Sequence, residues 1–142
     1  ALSRASVAFP VEVRWLEHRR TWSLWHVGDM AIPQGALVLE YTGKWHKSGA
    51  RRREGDGHGA VPLSGVKLKD PRHNTILDAR ECGNVGRFLC SSPDPNLIPR
   101  LFISDRHSAH TPRVVFVSRR EIGRDEELSC RLDISGVVVK NA

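Results

Sequence analysis

The side chains reactive enough to carry chemistry in this sequence are three cysteines, two adjacent serines, seven histidines and a run of arginines. Cys82, Cys90 and Cys130 lie far apart with no C-x-x-C pair, so alone they supply no four-thiolate zinc site. Their odd number argues against a disulfide framework. They read as reduced thiols, with Cys90 and Cys130 as small buried fillers. Ser91 and Ser92 sit in no G-x-S-x-G elbow and have no histidine close in sequence, so they read as loop serines. His18, His26, His46, His58, His73, His107 and His110 show neither H-x-x-x-H nor H-E-x-x-H spacing, and no metal site is expected. Arg51, Arg52 and Arg53, flanked by Lys44, Lys47, Lys67 and Lys69, have the charge to grip phosphates, although a solvated basic run explains them equally. Trp45 alone is near enough to that run to stack on a base. Trp15, Trp22 and Trp25 are expected in the core, and Tyr41, the single tyrosine, in the core or at its rim.

The elements that must position these groups are strands. Val11-Glu12-Val13-Arg14-Trp15-Leu16-Glu17 alternates apolar and polar residues, as a half-buried strand does. A second strand is expected over Thr21 to Val27. Pro33-Gln34-Gly35 makes a turn into a buried strand, Ala36 to Tyr41. Residues 44–74 form a basic, Gly-rich surface insertion with at most one short helix. Order returns at Thr75 to Ala79, and strands follow over Leu97 to Phe102 and Arg113 to Ser118. Ser104 to Pro112 reads as a polar loop. Asp125 to Leu128 turns into a further strand, and Val137 to Val139 is a short apolar strand or a loose tail. Many short strands without a long amphipathic helix predict a mainly β domain.

The 142 residues suffice for one domain, 1–142, and the 39% apolar share supports a packed core. Lys plus Arg exceed Asp plus Glu by 22 to 16, a net charge of +6 that favours acidic partners such as nucleic acid, a nucleosome surface or an acidic protein. No apolar run approaches the roughly 20 residues of a membrane-spanning helix, so no membrane role is expected. The opening Ala1-Leu2-Ser3-Arg4-Ala5 lacks a signal-peptide core. A start at Ala1 suggests a piece of a longer protein.

Two segments carry a family resemblance. Gly83-Asn84-Val85-Gly86-Arg87-Phe88-Leu89-Cys90-Ser91-Ser92-Pro93-Asp94-Pro95-Asn96 resembles the pattern G-N-x-x-R-F-x-N-H-S-C-x-P-N, and Asp125-Glu126-Glu127-Leu128-Ser129-Cys130-Arg131-Leu132 resembles G-E-E-L-x-F-D-Y. These are signatures of SET domains, the fold of protein-lysine methyltransferases. Trp22, Ile32-Pro33-x-Gly35 and Val38-x-Glu40-Tyr41-x-Gly43 are similar to the N-terminal SET pattern, as are Leu77-Asp78-Ala79-Arg80 and Arg119-Arg120-Glu121-Ile122 to its I-D-A-R and S-R-D-I steps. The wording around Pro95 to Pro99 is nearest the branch acting on the heterochromatic lysine of histone H3. The resemblance implies several small sheets and a C-terminal pseudoknot held by Gly83, Asn84, Arg87, Phe88, Pro95 and Asn96.

What the resemblance implies about activity is different. The N-H step that holds S-adenosylmethionine in the family is Cys90-Ser91 here, and the glycines flanking Trp22 are Thr21 and Ser23. The aromatic of the F-D-Y step is Cys130, and the family tyrosine that orients the lysine amine is Leu132, which has no polar atom. No catalytic group of the family is intact, and the cofactor-binding set Trp22, Cys90, Ser91 is degenerate. The cysteine that usually completes a zinc site is Pro93, and the chain ends at Ala142 without the cysteine-bearing tail, so no metal is expected. The first expectation is a catalytically inactive scaffold, without cofactor, contacting chromatin proteins or the nucleosome in the nucleus. A protein-lysine methyltransferase with an altered S-adenosylmethionine pocket is the second. A nucleic-acid-binding module working through Arg51, Arg52 and Arg53 is the third.

Overall fold

The computed structural model describes residues 7–47, 65–69, 74–79, 81–103, 113–131 and 139–141. Within them the regular structure is strand apart from one 3₁₀ turn, arranged in four small sheets. The alternating first segment becomes β1 (Val11–Leu16), hairpinned to β2 (Thr21–His26), with β10 (Glu126–Glu127) on the far side of β2. The loop between β1 and β2 is tight: Arg19 N–H donates to the Leu16 carbonyl and Arg20 N–H to the Glu17 carbonyl, both at 3.2 Å, and Arg20 takes φ 49°.

The apolar run after the Pro33–Gly35 turn becomes β3 (Leu37–Tyr41). Gly35 has φ +79°, which an L side chain rarely adopts, and Ala36 N–H closes the turn on the Pro33 carbonyl at 3.3 Å. β3 pairs antiparallel with β9 (Arg113–Ser118), β9 with β8 (Leu97–Ile103), and β8 lies parallel to β12 (Val139–Asn141), giving the order β12-β8-β9-β3. A Leu37/Leu39 register irregularity bends β3, and the reciprocal Ile32–Ile122 bridge staples the loop before β3 to the loop before β10.

Both faces of β3 and β9 are covered, which is why they read as continuous apolar runs. Val38, Leu39, Val115 and Phe116 are fully buried. Val38, Leu39 and Phe116 form one core with Leu24, Ile32, Tyr41, Leu89, Leu97, Ile122, Leu128 and Cys130. Tyr41, expected in the core or at its rim, is in the core, edge-on to Phe116.

The insertion, expected to hold at most one short helix, carries strands in its described parts: β4 (Lys44–Lys47) and β5 (Gly65–Lys69) flank β6 (Asn74–Asp78) in the order β4-β6-β5. Gly-Val-Lys-Leu-Lys does alternate, but Lys-Trp-His-Lys has a single apolar residue, and charge and glycine dominate the local composition and hide a period of two. Arg51, Arg52 and Arg53 lie outside the described residues, as do Leu132 and the polar loop expected at Ser104 to Pro112.

Trp15 and Trp22 also differ from expectation. They face each other across the hairpin, edge to face with centroids 5.4 Å apart, and remain 45% and 47% exposed. Their row continues that of Val13, Leu24 and His26 but overhangs the body of the fold. Trp25 is partly buried, with the Arg14 guanidinium 4.9 Å above its ring.

Candidate functional site

The first signature segment is shaped by its asparagine. Asn84 caps the 3₁₀ turn Val85–Phe88: its Oδ1 accepts Gly86 N–H at 3.1 Å, while its Nδ2 donates to the Glu40 carbonyl of β3 at 2.6 Å. Gly83 must be glycine for space, because a Cβ there would lie 2.6 Å from the Thr42 carbonyl oxygen. Arg87 is exposed and its guanidinium sits 5.1 Å from the Phe88 ring centroid, with Phe88 packed against the core.

The chain then forms β7 (Cys90–Ser91), which pairs in parallel with β11 (Ser129–Cys130) of the second signature segment. Ser92 N–H donates to the Cys130 carbonyl at 3.0 Å, and Arg131 Nη2 to the Pro93 carbonyl at 3.2 Å. Buried Pro95 and Asn96 complete the loop that receives the C-terminal segment. The two signature segments meet here; of the six residues assigned to the crossing, Asn96 bonds to Glu127 and Ser129 of the second segment, while Gly83, Asn84, Arg87, Phe88 and Pro95 lie in the first.

Trp22, Cys90 and Cys130 meet beside the crossing. The Cys90 thiol, 3% exposed, donates to the Trp22 carbonyl at 3.5 Å, joining the first signature segment to β2. Thr21 Oγ1 reaches the same carbonyl at 3.4 Å. Ser23 is fully buried; its Oγ accepts Trp25 Nε1–H at 2.6 Å and donates to the Arg14 carbonyl at 3.4 Å. Ser91, by contrast, faces solvent.

Burial pushes the Cys90 thiol up; the nearby Glu127 carboxylate acts in the same sense and the Arg19 guanidinium against it. Cys130, fully buried, is pushed up to about 12 by burial and then by Cys90. Both thiols are therefore protonated at neutral pH and weak as nucleophiles, which agrees with reading them as buried fillers. Cys82 is the exposed thiol.

One pair in this wall was not foreseen. Arg19 Nη2 and Glu127 Oε2 are 2.6 Å apart, their side chains 31% and 23% exposed. Arg19 Nε and Glu127 Oε1 are buried without partners. Glu127 belongs to the second signature segment, but nothing in the sequence says that a turn residue more than a hundred positions earlier comes back to meet it. A second unforeseen pair is Glu40 with Arg113, joined through Arg113 Nε and Nη2 at 2.8 and 2.6 Å across β3 and β9. His26 is fully buried, its Nδ1 3.0 Å from the Gly123 carbonyl.

Small sheets around a crossing of two signature segments define the class: this is the fold of SET-domain proteins. The SET domain family pattern matches residues 29–131, and the chain belongs to that family. It is 39% identical over 99 residues to the mouse histone-lysine N-methyltransferase EHMT1, covering 68% of this chain and 7% of that protein, so the chain spans a small part of its relative's length. Among solved structures, Arabidopsis thaliana SUVH6 in complex with S-adenosylmethionine superimposes with a TM-score of 0.72 at 24% identity, over 92% of this chain and 30% of that one. KRYPTONITE, solved with mCHH DNA, an H3(1-15) peptide and S-adenosylhomocysteine, gives 0.70 at 22% identity, over 92% and 24%.

Proposed function

We propose that residues 1–142 act as one SET domain that has become a catalytically inactive scaffold, a pseudo-methyltransferase contacting chromatin proteins or the nucleosome inside the nucleus. The observation that carries this is the Cys90 thiol seated on the Trp22 carbonyl. Where the family pattern has an amide and an imidazole, this wall has a buried neutral thiol bonded within the chain and a serine facing solvent. Where it has flanking glycines, Thr21 and Ser23 are buried with their side chains engaged.

When bound, S-adenosylmethionine supplies an activated methyl group, but these residues do not fit it. Arg19, a cation of this wall, is tied to Glu127, and the nearby thiols are protonated. Leu132 at the family tyrosine position adds no donor. Loss of one preorganised polar group costs on the order of a hundred- to a thousand-fold in rate. A histone partner is supported by the company the fold keeps: EHMT1 is named for acting on histone lysine, and the KRYPTONITE structure holds a histone H3 peptide.

The exposed Trp22 indole, 47% open, favours one second reading, a methyltransferase whose cofactor wall is still accessible. Isothermal titration with S-adenosylmethionine separates the two. The scaffold gives no binding heat and transfers no methyl group to histone H3. A saturating isotherm with methyl incorporation overturns it.

A further inference from the structure

β1 is the outer strand of the β1-β2-β10 sheet, and among the described residues no strand pairs with its far side. The direction of its free hydrogen-bonding groups follows from one bond: Val27 N–H donates to the Pro10 carbonyl at 3.0 Å. Hydrogen-bonded and non-hydrogen-bonded pairs alternate along an antiparallel ladder. With the register Val11↔His26 to Leu16↔Thr21, Glu12, Arg14 and Leu16 spend their backbone groups on β2. Val11, Val13 and Trp15 point theirs outward. An edge of this kind, ending in an exposed indole, is a ready template for another strand.

We propose that the β1 edge is an interface between two copies of this chain, running antiparallel about a two-fold axis at Val13. Outward-pointing residues must face outward-pointing residues, which leaves few central registers. Centring on Glu12 sets that carboxylate against itself, and centring on Arg14 sets two guanidinium groups together. Centring on Val13 places Glu12 of each copy opposite Arg14 of the other. Those two contacts fall at non-hydrogen-bonded positions, where side chains approach most closely. Val13 then pairs with its own counterpart, and Val11 with Trp15 at both ends, which covers indole surface now open to water.

The charged groups are free to respond. Glu12 and Arg14 keep 55% and 32% of their side-chain surface exposed. Arg14 already contacts Glu12 at 3.2 Å and Asp125 at 2.8 Å, but a guanidinium carries five donors. Only Val11, Val13 and Trp15 of β1 direct backbone groups outward, so the interface is short and the dimer dissociates on dilution. This self-association is independent of the scaffold reading, because it needs neither the Cys90 wall nor its chemistry.

Sedimentation equilibrium on the full chain, with circular dichroism as a check on folding, tests it. The chain follows a monomer–dimer equilibrium. Glu12→Arg alone and Arg14→Glu alone each weaken it by about tenfold or more, because two attractive contacts become repulsive. An equimolar mixture of the two variants pairs again, since each supplies the charge the other lacks, and so does the double variant Glu12→Arg/Arg14→Glu. Val13→Pro removes the outward N–H at the axis without touching the charges or the β2 ladder, and abolishes pairing. That variant decides the matter if Arg14→Glu misfolds through loss of its Asp125 contact. A chain monomeric at every concentration overturns the proposal. So does a dimer that the charge reversals and Val13→Pro leave unchanged, or a foreign strand seen on this edge in place of a second copy.

Discussion

Asn96 clasps Ser129. Its side-chain oxygen accepts the Ser129 backbone N–H at 2.8 Å, while its Nδ2 donates to the Glu127 carbonyl at 2.7 Å. Its own backbone N–H meets Ser129 Oγ at 3.4 Å, and its carbonyl accepts Arg119 N–H at 2.8 Å. Asn96 is 2% exposed, so water cannot substitute for any of these bonds. One carboxamide thus locks the C-terminal segment into the loop of the first signature segment.

Asn96→Ala should therefore cost about 2–4 kcal/mol, because a part-buried carbonyl and a part-buried N–H lose their partners together. Urea denaturation measures it. A loss below about 0.5 kcal/mol would show that the two segments hold each other by packing alone.

Two glycines near the site should respond to alanine in opposite ways. At Gly83 the new Cβ meets the Thr42 carbonyl oxygen at 2.6 Å and Ala79 Cβ at 3.0 Å, so backbone has to move. Gly83→Ala should cost about 1–3 kcal/mol. At Gly123 the nearest atom is Glu126 Oε2 at 3.9 Å. Gly123→Ala should be neutral or stabilise by up to about 1 kcal/mol through the unfolded chain. Thermal melts of both variants check the contrast.

The strands were legible wherever one face alternated or the chain ran apolar between turns, as over Val11 to Leu16 and Leu37 to Tyr41. The two signature segments were legible because their wording matches a family pattern. The partners were not. Asn96 finds Glu127 and Ser129 only after two sheets have folded between them, and Arg19 meets Glu127 only once the hairpin docks on β10. Trp15 and Trp22 were misjudged for a physical reason: side-chain type predicts burial only where the fold extends beneath it, and the hairpin overhangs. β4 and β5 escaped because Lys and Gly outvoted a weak alternation.

Cys130 makes stability depend on alkaline pH. Its folded pKa, about 12, lies above the ordinary 9.0. A group raised in this way contributes its full share below the unfolded pKa and loses it as pH climbs toward the folded one. Between about pH 9 and 12 the wild type should lose up to about 1.4 kcal/mol per pH unit relative to Cys130→Ala. Lysine and tyrosine titrations cancel in that difference. Parallel urea curves at pH 8 and 10 test it, and equal slopes for both proteins would contradict a buried thiol.

The Arg19–Glu127 pair should tune Cys90 in both directions. Arg19 opposes the rise in the thiol's pKa, and the Glu127 carboxylate promotes it. Arg19→Ala should therefore slow Cys90 alkylation at a fixed pH, and Glu127→Gln should quicken it, measured in a Cys82→Ser background so that the exposed thiol does not report. Cys130 stays silent in this assay because its thiol is the more strongly raised. Arg19→Ala also leaves a part-buried carboxylate unpaired and should cost about 1–3 kcal/mol. The double variant should cost less than the sum of the two single changes, since it removes the charge that the first leaves stranded. Additive losses, or alkylation rates that move together, would mean that the pair and the thiol do not sense each other.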